Sequence, residues 1–278
     1  MKTELRYSHH PEDAKGYDTS RIRKEFLIEK LFEPGEICFT YSMYDRYIVG
    51  GAMPSGTPLK LEPFDALKAA NFLDRREMGI INVGGGAEIR AGGITYRLDY
   101  KEALYLGMGV KEVYFSSLDA GNPAKLYINS AQAHHAYPAK KVTVREAEVA
   151  ILGSPEASNH RTINKLLINS VIETCGLQMG LTTLSPGSVW NTMPPHTHSR
   201  RMEAYFYFEV PERQAICHFM GEPVETRHIW MKNEQAVISP SWSIHSAAGT
   251  SNYSFIWGMT GENLDYGDMD IRQPDELK

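Results

Sequence analysis

A chain of 278 residues with 42% apolar side chains can bury one large core or two of ordinary size. Its net charge of −5 comes with both signs interspersed, so no basic stripe points to nucleic acid or to an anionic membrane surface; an anionic ligand would need local arginines. No run approaches the roughly eighteen apolar residues of a membrane span, and the segment up to Phe26 lacks a signal-type apolar core, so a cytoplasmic protein is expected. Cys38, Cys175 and Cys217 are odd in number and set among apolar neighbours, which fits reduced thiols better than disulfides or a thiolate site.

Taken in chain order, Thr19-Ser20 is placed to cap an amphipathic helix through Ile22, Phe26 and Leu31, ended by Pro34-Gly35. Short strands are expected over 37–41 and 46–49, then a glycine-rich loop over 50–56 and a second helix over 63–75, where Leu67, Ala70 and Leu73 stand at helical spacing. Thereafter helical signals nearly vanish. From about 78 to 144, and again from 161 to 261, short strands follow one another at close intervals, many separated by glycine pairs or Asp/Asn/Gly/Pro clusters, as in sandwiches and jelly rolls. The polar stretch 153–159 is the best linker between the two halves. The expected division is therefore an N-terminal strand and helix segment over 1–76, a first barrel without a metal set over 77–152, and a second barrel over 160–278. Two units of similar texture suggest an internal duplication, although no residue-level repeat carries it.

The second half holds the most informative pattern: His196-Thr197-His198, Glu203 five positions later, and His245 beyond Pro240. Residues i and i+2 of a strand share a face, so the two histidines of the pair can enter one cavity. Pro194-Pro195 stops any helix before them, and the stretch 203–208 alternates as a strand with Glu203 on the face that carries Tyr205 and Tyr207. With ten histidines in the chain, a chance pair two positions apart is unremarkable. A carboxylate on an inward face is another matter, because it needs a partner. Three imidazoles and one carboxylate predict a divalent metal held by His196, His198, Glu203 and His245, with positions left for water or substrate. His134-His135 lack ligand spacing and read as surface or interface residues; His218 and His228 read as packed or exposed.

Gly187, then His196-x-His198-x4-Glu203, then Pro240-x4-His245 resembles the two motifs of cupins. The spacing after Gly187 is longer than usual, no glycine follows Glu203 at the usual place, and Trp242 and Gly249 replace common glycine and asparagine, but no ligand is lost. The stretches 45–51, 102–107 and 193–203 resemble, more closely, the 5-keto-4-deoxyuronate isomerase family, and this likeness covers essentially the whole chain. The resemblance implies an all-β bicupin of two jelly-roll barrels with a short helical N-terminal region, zinc at the four ligands, one ion per subunit, and a homohexamer acting in pectin or uronate breakdown. The implied reaction converts 5-dehydro-4-deoxy-D-glucuronate to 3-deoxy-D-glycero-2,5-hexodiulosonate through a metal-stabilised enediolate. No redox change is needed, so zinc suffices, while manganese, iron, cobalt or nickel would also suit the ligands.

The sequence leaves the general base unassigned: metal-bound hydroxide or Glu203 could serve. For a carboxylate-bearing substrate the candidate contacts are Arg161, Lys165 and Arg201, with Tyr205 beside Glu203. Two other readings stand at this stage, an oxygen-using cupin dioxygenase on the same ligands and a non-catalytic sugar-binding or storage cupin.

Overall fold

The computed structural model describes residues 1–278 and consists of two compact units, one made of Met1–Arg6, Lys30–Glu148 and Lys165–Met179, the other of Tyr7–Glu29, Val149–Asn164 and Gly180–Lys278. Both are built from strands, as the short alternating segments of the sequence predict.

In the first unit a seven-stranded sheet runs Lys2–Arg6, Glu36–Ser42, Ile48–Met53, Leu126–Gln132, Arg76–Asn82, Ala103–Leu106, Lys140–Val142. A four-stranded sheet runs Leu59–Lys60, Tyr114–Ser117, Ala87–Ala91, Ile94–Leu98. Alternate residues of both sheets, among them Phe39, Ile80, Leu104, Ile128, Ile89 and Phe115, meet in one apolar core. Hydrocarbon therefore packs the interior between these two sheets. Several polar side chains of the larger sheet are buried too, among them Arg76, Asn82, Asn129, Ser130 and Glu77, the last fully buried on the opposite side of its strand from Ile80. The Glu77 carboxylate accepts hydrogen bonds from the Tyr105 hydroxyl (2.7 Å) and from the backbone N–H groups of Cys175 (2.8 Å), Gly176 (2.8 Å) and Leu177 (2.7 Å).

A second seven-stranded sheet, most of whose residues belong to the second unit, is ordered Glu148–Leu152, Arg161–Leu167, Gln178–Leu184, Ser254–Gly261, Arg201–Phe208, Gln235–Ser239, Leu27–Ile28. That unit's smaller sheet is ordered Trp190–Asn191, Ser246–Gly249, Ile216–Glu222, Glu225–Met231, and a two-stranded ribbon joins His196–Thr197 to Asp270–Ile271. The all-β, two-barrel expectation holds. No helix is long and apolar enough to cross a membrane.

Several boundaries differ from the sequence expectation. The N-terminal helix is Thr19–Phe26, capped by the Asp18 side chain, which accepts from the Arg21 N–H at 2.8 Å; Leu31 lies beyond it. The helix expected over 63–75 is absent. Only Asp65–Leu67 forms a 3-10 turn, ended by Lys68 at φ 45°, and the Asp74 carboxylate accepts from both the backbone and the side-chain nitrogen of Asn71, fixing a local turn instead. Phe72 and Leu73 join the core from this irregular stretch. The expected division at 76/77 also moves, because strands Glu36–Ser42 and Ile48–Met53 belong to the same sheet as Arg76–Asn82. The stretch 153–159 joins Glu148–Leu152 to Arg161–Leu167, neighbours in one sheet, and is a hairpin loop where a domain linker was expected.

Candidate metal centre

Strand Arg201–Phe208 lies inside the second seven-stranded sheet, between Gln235–Ser239 and Ser254–Gly261, and is buried along its whole length. Its period of two places Glu203, Tyr205 and Tyr207 on one face. His196 and His198 flank Thr197 where the chain pairs with Asp270–Ile271. His245 arrives from the turn after strand Gln235–Ser239, a turn closed by the Ser243 N–H donating to the Pro240 oxygen at 2.9 Å. The structure thus brings all four sequence-predicted ligands together, with one ligand atom from each within 4.8 Å of the others.

The hydrogen bonds orient the rings. His198 Nδ1 lies 2.6 Å from the Asp268 backbone oxygen, which can only accept, and 3.3 Å from Arg201 Nε, which can only donate; the much shorter carbonyl contact favours the proton on Nδ1 and a bare Nε2 turned inward. That Nε2 sits 2.9 Å from Glu203 Oε1, yet it is buried and makes no hydrogen bond. His245 Nδ1 faces Ser239 Oγ at 3.3 Å, and its Nε2 approaches His196 Nε2 at 2.9 Å and Glu203 Oε2 at 3.5 Å. Lone pairs of three rings and a carboxylate converge on one point with too few protons between them, an arrangement that fits a bound cation.

Charge states agree. Burial pushes His196 down to about 4, with Glu203 opposing, and pushes His245 well below its ordinary range. Burial alone would raise Glu203, but His245 and His198 override it and hold the carboxyl well below the usual carboxylate range. At neutral pH His196 and His245 therefore read as neutral imidazoles and Glu203 as a carboxylate, as a divalent ion requires of its ligands.

A cavity of about 300 Å³ opens on His196, His198 and Glu203. Ile163, Met193, Phe255, Trp257 and Met259 form much of its wall. Trp257 fits because residue 180 is glycine: a Cβ there would lie 2.0 Å from the indole ring.

Of the candidate substrate contacts, Arg161, Arg201 and Tyr205 line this cavity and Lys165 does not. Lys165 instead pairs with Glu148 at 2.6 Å, which corrects its expected role. Arg201, 1% exposed, donates to the backbone oxygens of Asp265 (2.8 Å), Tyr266 (2.9 Å) and Asp268 (3.2 Å). It ties down the segment whose Asp268 carbonyl orients His198, so its donors are engaged within the protein. Tyr205 hydrogen-bonds Thr192 Oγ1 at 3.0 Å and sets its ring edge-on to His245, with centroids 5.2 Å apart. Burial raises the Tyr205 phenol well above its ordinary range, so it stays protonated.

The remaining sequence candidates fall as expected. His134, His135 and His228 are exposed, and the three cysteines are free thiols pushed up by burial. His218 is packed, with Nδ1 2.8 Å from the Tyr207 hydroxyl, and lies outside the four-ligand set. Burial pushes it down to about 3, against about 6.5 in an unfolded chain. Between those values the unfolded chain takes a proton that the folded chain refuses, so this stabilisation is complete above pH 6.5 and is lost as pH falls toward 3. Going from pH 6.5 to 5 is expected to cost about 2 kcal/mol through this group. In His218→Gln the dependence of Tm on pH over that range should be shallower; an unchanged slope refutes the assignment. The contribution of the Asp268 carbonyl escaped the sequence reading altogether, because a backbone group has no side-chain signature.

A model of the KduI/IolB family matches residues 27–273. The 4-deoxy-L-threo-5-hexosulose-uronate ketol-isomerase 1 of Bacteroides thetaiotaomicron is 65% identical over 280 residues, covering 100% of both chains. The ketol-isomerase of the same description from Formosa agariphila is 57% identical over 277 residues, covering 100% of this chain and 99% of that one. Among solved structures, an IolB-like protein from Salmonella typhimurium LT2 superposes with a TM-score of 0.73 at 16% identity, over 89% of this chain and 96% of the other. At that identity the likeness speaks for the fold alone.

Proposed function

The chain belongs to the KduI/IolB family, and from that premise we propose that it is a ketol-isomerase converting 5-dehydro-4-deoxy-D-glucuronate to 3-deoxy-D-glycero-2,5-hexodiulosonate in pectin and uronate breakdown. The observation that carries the reading is the buried ligand set His196, His198, Glu203 and His245 with its bare inward nitrogen, opening on a cavity at the lower end of the range for small-molecule sites, about 300–1,000 Å³. In this reading the four residues hold one zinc ion per subunit. When bound, the dication supplies Lewis acidity at neighbouring oxygens without changing oxidation state.

The chain's own residues account for the rest. The net change moves one proton from the hydroxyl-bearing carbon to the former aldehyde carbon and a second from that hydroxyl to the former aldehyde oxygen, so the formula is conserved. Asp268 and Ser239 fix the His198 and His245 rings, so the ligand geometry is set before substrate arrives. The apolar wall keeps water from the exchanging proton. Tyr205, held protonated, offers the cavity a neutral phenol and is unsuited to be the base. The reading extends to a cytoplasmic homohexamer; a monomer by light scattering at micromolar concentration would refute the assembly.

Stripping metal with a chelator is expected to lower turnover at least about 100-fold, with recovery on adding zinc under anaerobic conditions. Turnover untouched by complete metal removal sinks the metal reading. Recovery only with a redox-active metal, accompanied by oxygen uptake, would favour the dioxygenase.

A further inference from the structure

Three cations entered as candidates for the substrate's carboxylate, and the structure separates them. Lys165 is committed to Glu148, and Arg201 is committed to three backbone carbonyls. Arg161 differs from both. It begins strand Arg161–Leu167, two residues before Ile163, and both side chains line the cavity that contains the metal ligands. A guanidinium carries five N–H donors. Arg161 makes one hydrogen bond, Nη1 to the Asn159 backbone oxygen at 2.8 Å, and no ion pair.

Burial works against its charge, and the groups that face it electrostatically are the phenols of Tyr205, Tyr266 and Tyr253. Burial raises Tyr205 and Tyr253 well above the ordinary phenol range, so these two supply no negative charge at neutral pH. A half-buried guanidinium with neutral neighbours and unused donors, aimed into a cavity, is a receptor for a planar anion.

We infer that Arg161 receives the substrate's carboxylate and so selects sugar acids over neutral sugars. This rests on the isomerase reading above and adds a division of labour to it. In the open-chain uronate the carboxylate is at the opposite end from the aldehyde, so Arg161 grips one end while the His/Glu centre engages the other.

The test uses the zinc-loaded full chain. For Arg161→Gln, kcat/KM on the uronate is expected to fall about 100-fold, mainly through KM, while Arg161→Lys retains a tenth or more of wild-type kcat/KM. Zinc content and Tm should stay near wild type, which separates carboxylate binding from a merely structural role. A second arm needs no turnover: calorimetric binding of D-glucuronate and D-glucose. Wild type is expected to prefer glucuronate, and Arg161→Gln to lose that preference. An Arg161→Gln variant with wild-type KM, a retained preference in the variant, or no preference in wild type overturns the assignment. A wild-type protein that fails to isomerise the uronate, yet shows an Arg161-dependent preference for glucuronate, overturns the isomerase reading and leaves the carboxylate receptor standing.

Discussion

Glu203→Gln is expected to empty the centre of metal and lower kcat by about 10²–10³-fold, with the fold intact. The amide keeps the volume of the carboxylate but removes its charge. Its NH2 group can donate to the inward imidazole nitrogens, so the cluster that lacked protons becomes hydrogen-bonded and no longer calls for a cation. The geometry makes this replacement sharp, because Glu203 Oε1 lies 2.9 Å from His198 Nε2 and Oε2 lies 3.5 Å from His245 Nε2. Elemental analysis and steady-state kinetics on the same preparation check it. A metal stoichiometry and a turnover both within threefold of wild type would show that the carboxylate is not a ligand. A protein that only bound sugars would keep much of its affinity in this variant, so the same measurement tests the non-catalytic reading.

Glu77→Ala should destabilise the first unit by about 3–5 kcal/mol, the range for removing one partner from a buried, charge-assisted network. Four donors converge on this carboxylate, the Tyr105 hydroxyl and the N–H groups of Cys175, Gly176 and Leu177. Alanine leaves all four without an acceptor, and Glu77 is fully buried, so water does not replace it. At roughly 2–4 °C per kcal/mol for units of this size, Tm should drop by about 10 °C. Thermal denaturation measures it, and a drop below about 3 °C would mean that the 175–177 stretch rearranges to satisfy itself. Glu77→Gln, which retains an acceptor, should cost markedly less.

Much of this protein was readable from its sequence, and the parts that were not share a physical cause. His196, His198, Glu203 and His245 were legible because strand periodicity and a preceding proline pair constrain where such side chains point. The same alternation located Tyr205 and Tyr207 beside Glu203. The stretch 63–75 misled because Leu67, Ala70 and Leu73 follow one another at helical spacing, whereas Phe72 and Leu73 reach the core from an irregular chain pinned by Asp74 and Asn71. Tertiary packing overrode local periodicity there. The polar loop 153–159 has the composition of a linker, and only the pairing partners of the flanking strands show that it is a hairpin. Lys165 and Arg201 were sound candidates by charge; their partners Glu148 and the 265–268 carbonyls come from distant or backbone groups that no local pattern announces.

The ribbon that pairs His196 with Ile271 and Thr197 with Asp270 sets an order of events during synthesis. A ribosome delivers His196, His198, Glu203 and His245 well before Asp268, whose carbonyl chooses which nitrogen of His198 bears hydrogen. A nascent chain therefore displays all four donors with one ring still free to rotate. Any ion captured then meets a loose chelate, and discrimination among metals by geometry begins only once the final dozen or so residues have been laid across the opening.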